Sequence, residues 1–247
     1  MIPRIIHYCW FGRNELPPLA RRCIASWKKY APEYSIVEWN EDNFDFKESR
    51  YAAEAYSVGK WAFVSDYARF RIIFENGGLY FDTDVELLQG CELVIGNKAF
   101  MACDKNYMIS PGLGFGAEKH STIIKACLDT YNDRDFLRRD GSMDLTTVVE
   151  ICSSVLRYRG IIGTDDVAFY NDFTVYPCEY FAPKEYGSNK VSITKKTISI
   201  HHYDSSWLSS RQKKHARVVS FIEQIFGKRL VETLVDIKRI MKGLIRW

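Results

Sequence analysis

The opening of the chain constrains its fold more than any other stretch. Arg4-Ile5-Ile6-His7-Tyr8-Cys9-Trp10 is apolar, β-branched and aromatic, and it stops at Phe11-Gly12. That is the pattern of a buried strand running into a loop. Pro17-Pro18 pre-sets the backbone for a helix start, Leu19 to Tyr30 carries the helix, and Ala31-Pro32 stops it. Ser35 to Trp39 then reads as a second strand. Strand, helix and strand at this spacing predict a βαβ unit, and with it a parallel sheet and an α/β domain.

A second strong helix spans Lys60 to Glu75, with Phe63, Tyr67, Phe70 and Phe74 recurring at three- and four-residue steps and Asn76-Gly77-Gly78 ending it. Leu79-Tyr80-Phe81 is a short buried strand that runs straight into Asp82-Thr83-Asp84. Phe100 to Gly116 is apolar and punctuated by glycine, as strands with loops are. His120 to Tyr131 and Asp144 to Tyr158 read as helices, and Phe173 to Phe181 and Lys196 to His202 as late strands. There is no repeat and no low-complexity segment.

The cysteines, at 9, 23, 91, 103, 127, 152 and 178, are odd in number and form no Cys-x-x-Cys. That argues against a disulfide framework and a cysteine zinc site, and predicts reduced, mostly buried thiols in a cytoplasmic protein. The N-terminus lacks the apolar stretch of a signal peptide, and no run is long enough to span a bilayer. Charge is divided unevenly. Residues 211–247 carry a net +7 and residues 1–210 a net −4. The expected organisation is a domain over 1–210 followed by a basic amphipathic helical tail over 211–247.

Asp82 and Asp84, at the end of a buried strand, are the central chemical feature. Two carboxylates this close repel each other, so a cation that neutralises them is a natural partner. Oxygen ligands suit Mg²⁺ or Mn²⁺, and such an ion can clamp a diphosphate and offset charge on a departing nucleoside diphosphate. An isolated Asp-x-Asp would read as an exposed acidic turn. Its context differs: Asp66 and Arg69 stand three apart on the preceding helix and share a face. Taken alone, that pair reads as a surface ion pair contributing at most about 1 kcal/mol. An EF-hand is excluded, because its glycine and final glutamate positions fall on Leu87 and Leu93.

Several motifs in register resemble one family. They are Ile2-Pro3-Arg4-Ile5-Ile6-His7-Tyr8-Cys9-Trp10-Phe11-Gly12, Ser26-Trp27-Lys28-Lys29, Trp39-Asn40, Ala62-Phe63-Val64-Ser65-Asp66-Tyr67-Ala68-Arg69 and Gly77-Gly78-Leu79-Tyr80-Phe81-Asp82-Thr83-Asp84-Val85, continuing through Tyr176-Pro177 and Tyr180-Phe181-x-Pro183 to His201-His202-Tyr203-Asp204-Ser205-Ser206-Trp207. Together they resemble the DXD enzymes of glycosyltransferase family 32, over roughly residues 2–207. The resemblance implies a GT-A fold, a mixed, mostly parallel sheet with a Rossmann-like nucleotide-binding half. It implies a retaining hexosyltransferase that uses a nucleotide-sugar, UDP-hexose first and GDP-mannose second, with Mn²⁺ or Mg²⁺. The acceptor would be a saccharide, lipid-linked in some relatives, in the synthesis of bacterial surface polysaccharide or lipopolysaccharide.

Residue by residue, the resemblance implies that Trp10 stacks near the base and that Asp66 and Arg69 contact the nucleoside and the phosphate or sugar. Tyr80 and Asp82 would face the ribose and the metal. Asp84 would be the main metal ligand, and Asp82 and Asp84 the catalytic pair. One of His201 and His202 would add a metal or phosphate contact; adjacent strand residues face opposite sides, so at most one is a natural ligand. Ser206-Trp207 would close over the diphosphate. Asp144 falls at a sugar-contacting position of the family and reads equally well as the N-cap of the following helix.

A phosphatase of the haloacid dehalogenase type also uses a strand-end Asp-x-Asp. Its motif usually lies near the N-terminus, and the glycine expected after it is absent here. A non-catalytic sugar- or membrane-binding protein is the other alternative, and the intact Asp66, Arg69, Asp82, Asp84 and Trp207 argue against it. No nucleic-acid partner is expected. In the tail, Val218, Ile222, Phe226, Leu230, Leu234, Ile237, Met241 and Leu244 make one apolar stripe at helical spacing among many Lys and Arg. Such a helix can lie on an anionic bilayer, placing the enzyme on the inner face of the cell membrane, or it can pack on the body or on a second copy.

Overall fold

The computed structural model describes residues 1–184 and 190–204. Within them, the residues up to His202 form one compact unit. The tail expected over 211–247, the boundary at 210, and Ser206-Trp207 lie outside the described residues.

The chain opens with β1 (Ile5–Cys9), α1 (Pro18–Tyr30) and β2 (Ser35–Trp39), as the opening pattern predicts. Next come α2 (Arg50–Ser57), α3 (Trp61–Asn76) and β3 (Gly78–Tyr80). Short elements follow: β4 (Val85–Leu87), α4 (Glu92–Ile95), β5 (Ala99–Ala102) and β6 (Phe115–Ala117). The remainder is α5 (Thr122–Asp129), α6 (Val148–Tyr158), β7 (Ala168–Tyr170), β8 (Phe173–Tyr176), α7 (Cys178–Phe181) and β9 (Ser199–His201).

Seven strands form one mixed sheet in the order β2-β1-β3-β6-β5-β8-β7. β1 lies between β2 and β3 and is parallel to both. β6 is antiparallel to β3 and β5, β5 is parallel to β8, and β7 is antiparallel to β8. Five strands therefore run one way, and β6 and β7 run the other. The α/β class and the parallel Rossmann-like half read from the sequence are both present.

The two faces of the sheet follow the period of two along each strand. Cys9, Tyr80, Met101, Phe115 and Val175 join a core with side chains of α2, α3, α5 and α6. Phe81 and Phe100 belong to the opposite set; Phe81 meets Trp27 of α1, and Phe100 stacks on Phe181 of α7. α3 is buried on most of its circumference, not on one stripe, because Phe63, Val64, Tyr67, Ala68, Phe70, Ile72 and Ile73 are all inside. Asp66 and Arg69 are carried inside with them.

Three sequence expectations are corrected. Phe173 to Phe181 is not one strand: β8 stops at Tyr176, and Pro177, which has no N–H for a ladder, opens the one-turn α7. The helix expected from Asp144 begins at Val148, where Thr147 and Glu150 form a capping box, so Asp144 is not its N-cap. α2, absent from the sequence reading, starts where the Ser49 hydroxyl accepts from Ala52 N–H. All seven cysteines are free thiols; six are buried and Cys178 is half-buried. Among the described residues, no helix is long and apolar enough to cross a membrane.

Candidate metal and donor site

The sheet order sets where a ligand can approach. From β1 the chain crosses to β2 on one side, then returns past β1 to β3 on the other. In open α/β sheets the crevice at such a switch point, outside the carboxyl ends of the strands, is where ligands bind. The loop after β1 begins with Trp10, and the turn after β3 holds Asp82 and Asp84.

That turn is closed by Val85 N–H donating to Asp82 C=O at 2.9 Å, and it leads into β4. β4 pairs antiparallel with β9, with Val85 opposite His201, and His202 N–H donates to Asp84 C=O at 2.9 Å. This register swings the His201 imidazole to the turn, with Nε2 3.1 Å from Asp84 Oδ1. One ligand atom from each of Asp82, Asp84 and His201 lies within 4.8 Å of the others. His202 points the other way: its Nε2 is 2.7 Å from Glu86 Oε2, and Arg22 Nη2 lies 3.5 Å from both groups. The alternation argument allowed one histidine in the cluster, and His201 is the one brought there.

Arg69 organises the floor of the site. Its Nη2 is 2.8 Å from Asp66 Oδ1 and 3.3 Å from Asp82 Oδ1, its Nε donates to Ser65 C=O at 3.1 Å, and its guanidinium lies 5.0 Å from the centroid of the Tyr80 ring. Asp66 and Arg69 are 8% and 4% exposed, so the surface ion pair of the sequence reading is a buried one. Tyr80, which the resemblance turned toward the ribose, is 1% exposed and supports Arg69 from below, because as a β3 residue it faces the helical layer.

Charge in the cluster is unbalanced. Asp66, Asp82 and Asp84 surround one guanidinium and one imidazole. Burial pushes the Asp66 carboxyl up to about 7, against the pull of Arg69 and with the push of Asp82. Burial raises Asp82 as well, opposed by Arg69 and reinforced by Asp84. Burial alone would lower the His201 pKa, but the Asp84 carboxylate, with Asp82 behind it, holds it above the ordinary histidine value. A divalent cation would relieve these stresses. Two carboxylates and an imidazole suit Mn²⁺, which accepts nitrogen alongside oxygen more readily than Mg²⁺ does.

The remaining expected residues are distributed around this centre. Trp10 is half-buried at the carboxyl end of β1, its indole N–H donating to Asn14 C=O at 2.6 Å. Asp144 is buried: its Oδ2 is 3.1 Å from Arg134 Nη1, and its Oδ1 is 3.2 Å from Arg138 Nη2 and accepts from the Thr146 hydroxyl at 2.6 Å. Those partners account for much of its hydrogen-bonding capacity.

The sequence reading missed Gly112. A Cβ there would collide with Asp82 Oδ2 and stand 3.6 Å from Arg69 Nη1, so the bare backbone of the turn packs against the carboxylate. The only sequence signal was Ser110-Pro111-Gly112-Leu113-Gly114, a turn-forming run.

The site is thus an acidic cluster at the carboxyl end of a central parallel strand of an α/β fold, with a histidine delivered from a distant strand. Residues 17–101 match the family described as glycosyltransferase sugar-binding region containing DXD motif. The matched segment includes Asp66, Arg69, Tyr80, Asp82 and Asp84. No curated protein matches the chain. Among solved structures it is similar to PaToxG glycosyltransferase, with 18% identity, a TM-score of 0.48, and coverage of 65% of this chain and 70% of that one. It is similar to a glycosyltransferase involved in the glycosylation of the major capsid of PBCV-1, with 12% identity, a TM-score of 0.44, and coverage of 87% and 100%. A third similarity is to an active-site mutant of LgtC, with 13% identity, a TM-score of 0.41, and coverage of 87% and 95%.

Proposed function

We propose that the chain is a metal-dependent, retaining hexosyltransferase that takes its sugar from a nucleotide-sugar, UDP-hexose before GDP-mannose, and passes it to a saccharide acceptor in surface polysaccharide synthesis. The observation that carries this reading is the convergence of Asp82, Asp84 and His201 at the switch point between β1 and β3. Asp84, Asp82 and His201 would hold Mn²⁺, whose contribution when bound is to neutralise charge on the diphosphate leaving group. Arg69 opposes the upward push of burial on Asp82 and orients it, since it grips that carboxylate while anchored to Asp66 and the α3 backbone. Asp66, buried beside it, would accept from donor hydroxyls. Trp10, on the β1 side of the crevice, would offer its ring to the base. Trp207 and Ser206 would close over the diphosphate, and the 211–247 segment would hold the enzyme at the inner face of the membrane, near a lipid-linked acceptor.

The test is a panel of nucleotide-sugars incubated with Mn²⁺, with Mg²⁺, and with EDTA. Release of nucleoside diphosphate from one donor, abolished by EDTA, is the expected result. Metal-independent turnover, or release of inorganic phosphate from sugar phosphates, would reject the reading.

A further inference from the structure

The loop after β1 is shaped by a residue from the loop after β2. Gly12 has φ +96, and a Cβ there would lie 2.6 Å from Trp61 Nε1, so only glycine fits between the loop and the start of α3. Arg13 follows at φ 55, also in the left-handed region. A non-glycine residue in that region is costly unless the surroundings hold it there. The hold comes from the loop after β2, where Asp42 Oδ1 lies 2.6 Å from Arg13 Nη2 and Gly12 is held by Glu41. Glu41 Oε1 accepts from Gly12 N–H at 2.7 Å and from the Tyr56 hydroxyl of α2 at 3.2 Å. Tyr56 is itself fixed, stacked on Phe46 at 4.0 Å and set edge-on to Trp61 at 4.8 Å between centroids. At the other end of the loop, Trp10 N–H donates to Trp39 C=O at 2.9 Å and its indole N–H to Asn14 C=O at 2.6 Å. The Trp10 ring is thus tied to the same loop that Glu41 clamps.

We propose that Glu41 is a positioning residue for the nucleoside end of the donor, acting through Gly12 to hold Trp10 beside the β1–β3 crevice. The inference rests on the nucleotide-sugar reading of that crevice. One carboxylate oxygen joins the loops after β1 and β2 to α2, so its loss loosens the loop at Gly12, where the exposed Arg13–Asp42 pair and the Trp10 N–H bond remain, without touching Asp82, Asp84 or His201. Both hydrogen bonds go to a single oxygen. A glutamine can supply that oxygen in the same place, whereas alanine supplies nothing.

The experiment compares wild type, Glu41→Gln and Glu41→Ala by calorimetric titration with UDP, with GDP and with inorganic pyrophosphate, each in Mn²⁺, alongside thermal unfolding without ligand. Glu41→Ala should bind the better nucleoside diphosphate about tenfold more weakly, the lower end of what losing a supporting contact costs a site. Its pyrophosphate affinity should stay within about twofold of wild type, and Glu41→Gln should recover most of the nucleotide affinity. The separation of nucleotide from pyrophosphate is the readout that general loosening of the fold would not give. Equal nucleotide affinity in wild type and Glu41→Ala overturns this inference alone. So does an equal loss for pyrophosphate, or a glutamine variant as weak as alanine. A wild type that binds neither nucleotide overturns the donor reading and this inference with it.

Discussion

His201 Nε2 stands 3.1 Å from Asp84 Oδ1 across the end of the β4–β9 ribbon, although the two residues are far apart in the chain. The ribbon exists because Val85, directly after the Asp-x-Asp, pairs with His201 itself. Strand register, rather than a local motif, therefore completes the cluster.

Metal binding should depend on all three residues. Asp84→Ala should lower metal-dependent donor turnover by about two orders of magnitude or more, as losing a charge-stabilising group does. His201→Ala should weaken Mn²⁺ affinity in a direct titration while leaving the far-ultraviolet circular dichroism unchanged. His202→Ala should bind Mn²⁺ as wild type does, because its partner is Glu86. A His202 variant that loses Mn²⁺ while His201→Ala keeps it would reverse the assignment.

The Asp66–Arg69 pair should matter for folding as well as for the donor. Arg69→Ala leaves the buried Asp66 beside the half-buried Asp82 without their cation, and breaking the buried Asp66–Arg69 pair in this way costs about 3–5 kcal/mol. Asp66→Asn keeps an acceptor for the guanidinium and should cost clearly less. Urea unfolding of the two variants without ligand measures the difference. An Arg69→Ala protein as stable as wild type would mean that the pair behaves as an exposed one.

How much of this was legible in the sequence follows from the range of each interaction. β1, α1, β2 and the end of α3 at Gly77 were readable because the signals are local: a β-branched run, prolines at a helix start, glycines at a helix end. Burial of Asp66 and Arg69 was not, because it depends on α3 being covered by α2 and α5 as well as by the sheet. The four phenylalanine and tyrosine positions on α3 marked one stripe; the small and aliphatic residues between them, Val64, Ala68, Ile72 and Ile73, carried the rest. Alternation limited His201 and His202 to one ligand, but choosing between them needed the β4–β9 register. Glu41 was invisible, since it acts on a backbone N–H that no side-chain pattern records.

The segment from 211 to 247 should bring the protein to anionic membranes. Its Lys and Arg can each contribute about 1 kcal/mol near such a surface, and its apolar stripe adds burial in the interface. The full chain should co-sediment with phosphatidylserine-containing vesicles at low salt and release as salt rises. A chain ending at Ser210 should stay in the supernatant. Equal binding by both would place the membrane contact elsewhere.

A last prediction concerns acid stability and involves none of Asp82, Asp84 and His201. The Trp39 indole N–H can only donate, so His7 Nδ1 accepts it, at 2.9 Å, and Nε2–H donates to Gly77 C=O at 3.0 Å. Neutral imidazole satisfies both bonds; a second proton on Nδ1 would face the indole N–H. Burial lowers the His7 pKa to about 4, against a smaller upward pull from the Gly77 carbonyl. Between about pH 6.5 and pH 4 the unfolded chain therefore binds more protons at this residue than the folded one does, and stability falls as pH falls. The contribution is fully present above the unfolded value and amounts to about 3 kcal/mol lost by pH 4. His7→Gln should lower stability at pH 7 through imperfect packing, yet show an acid slope shallower by about that amount. Urea unfolding at pH 7, 6, 5 and 4 measures both slopes. Parallel slopes for the two proteins would mean that the folded chain accommodates the imidazolium, contrary to the hydrogen bonds that hold His7.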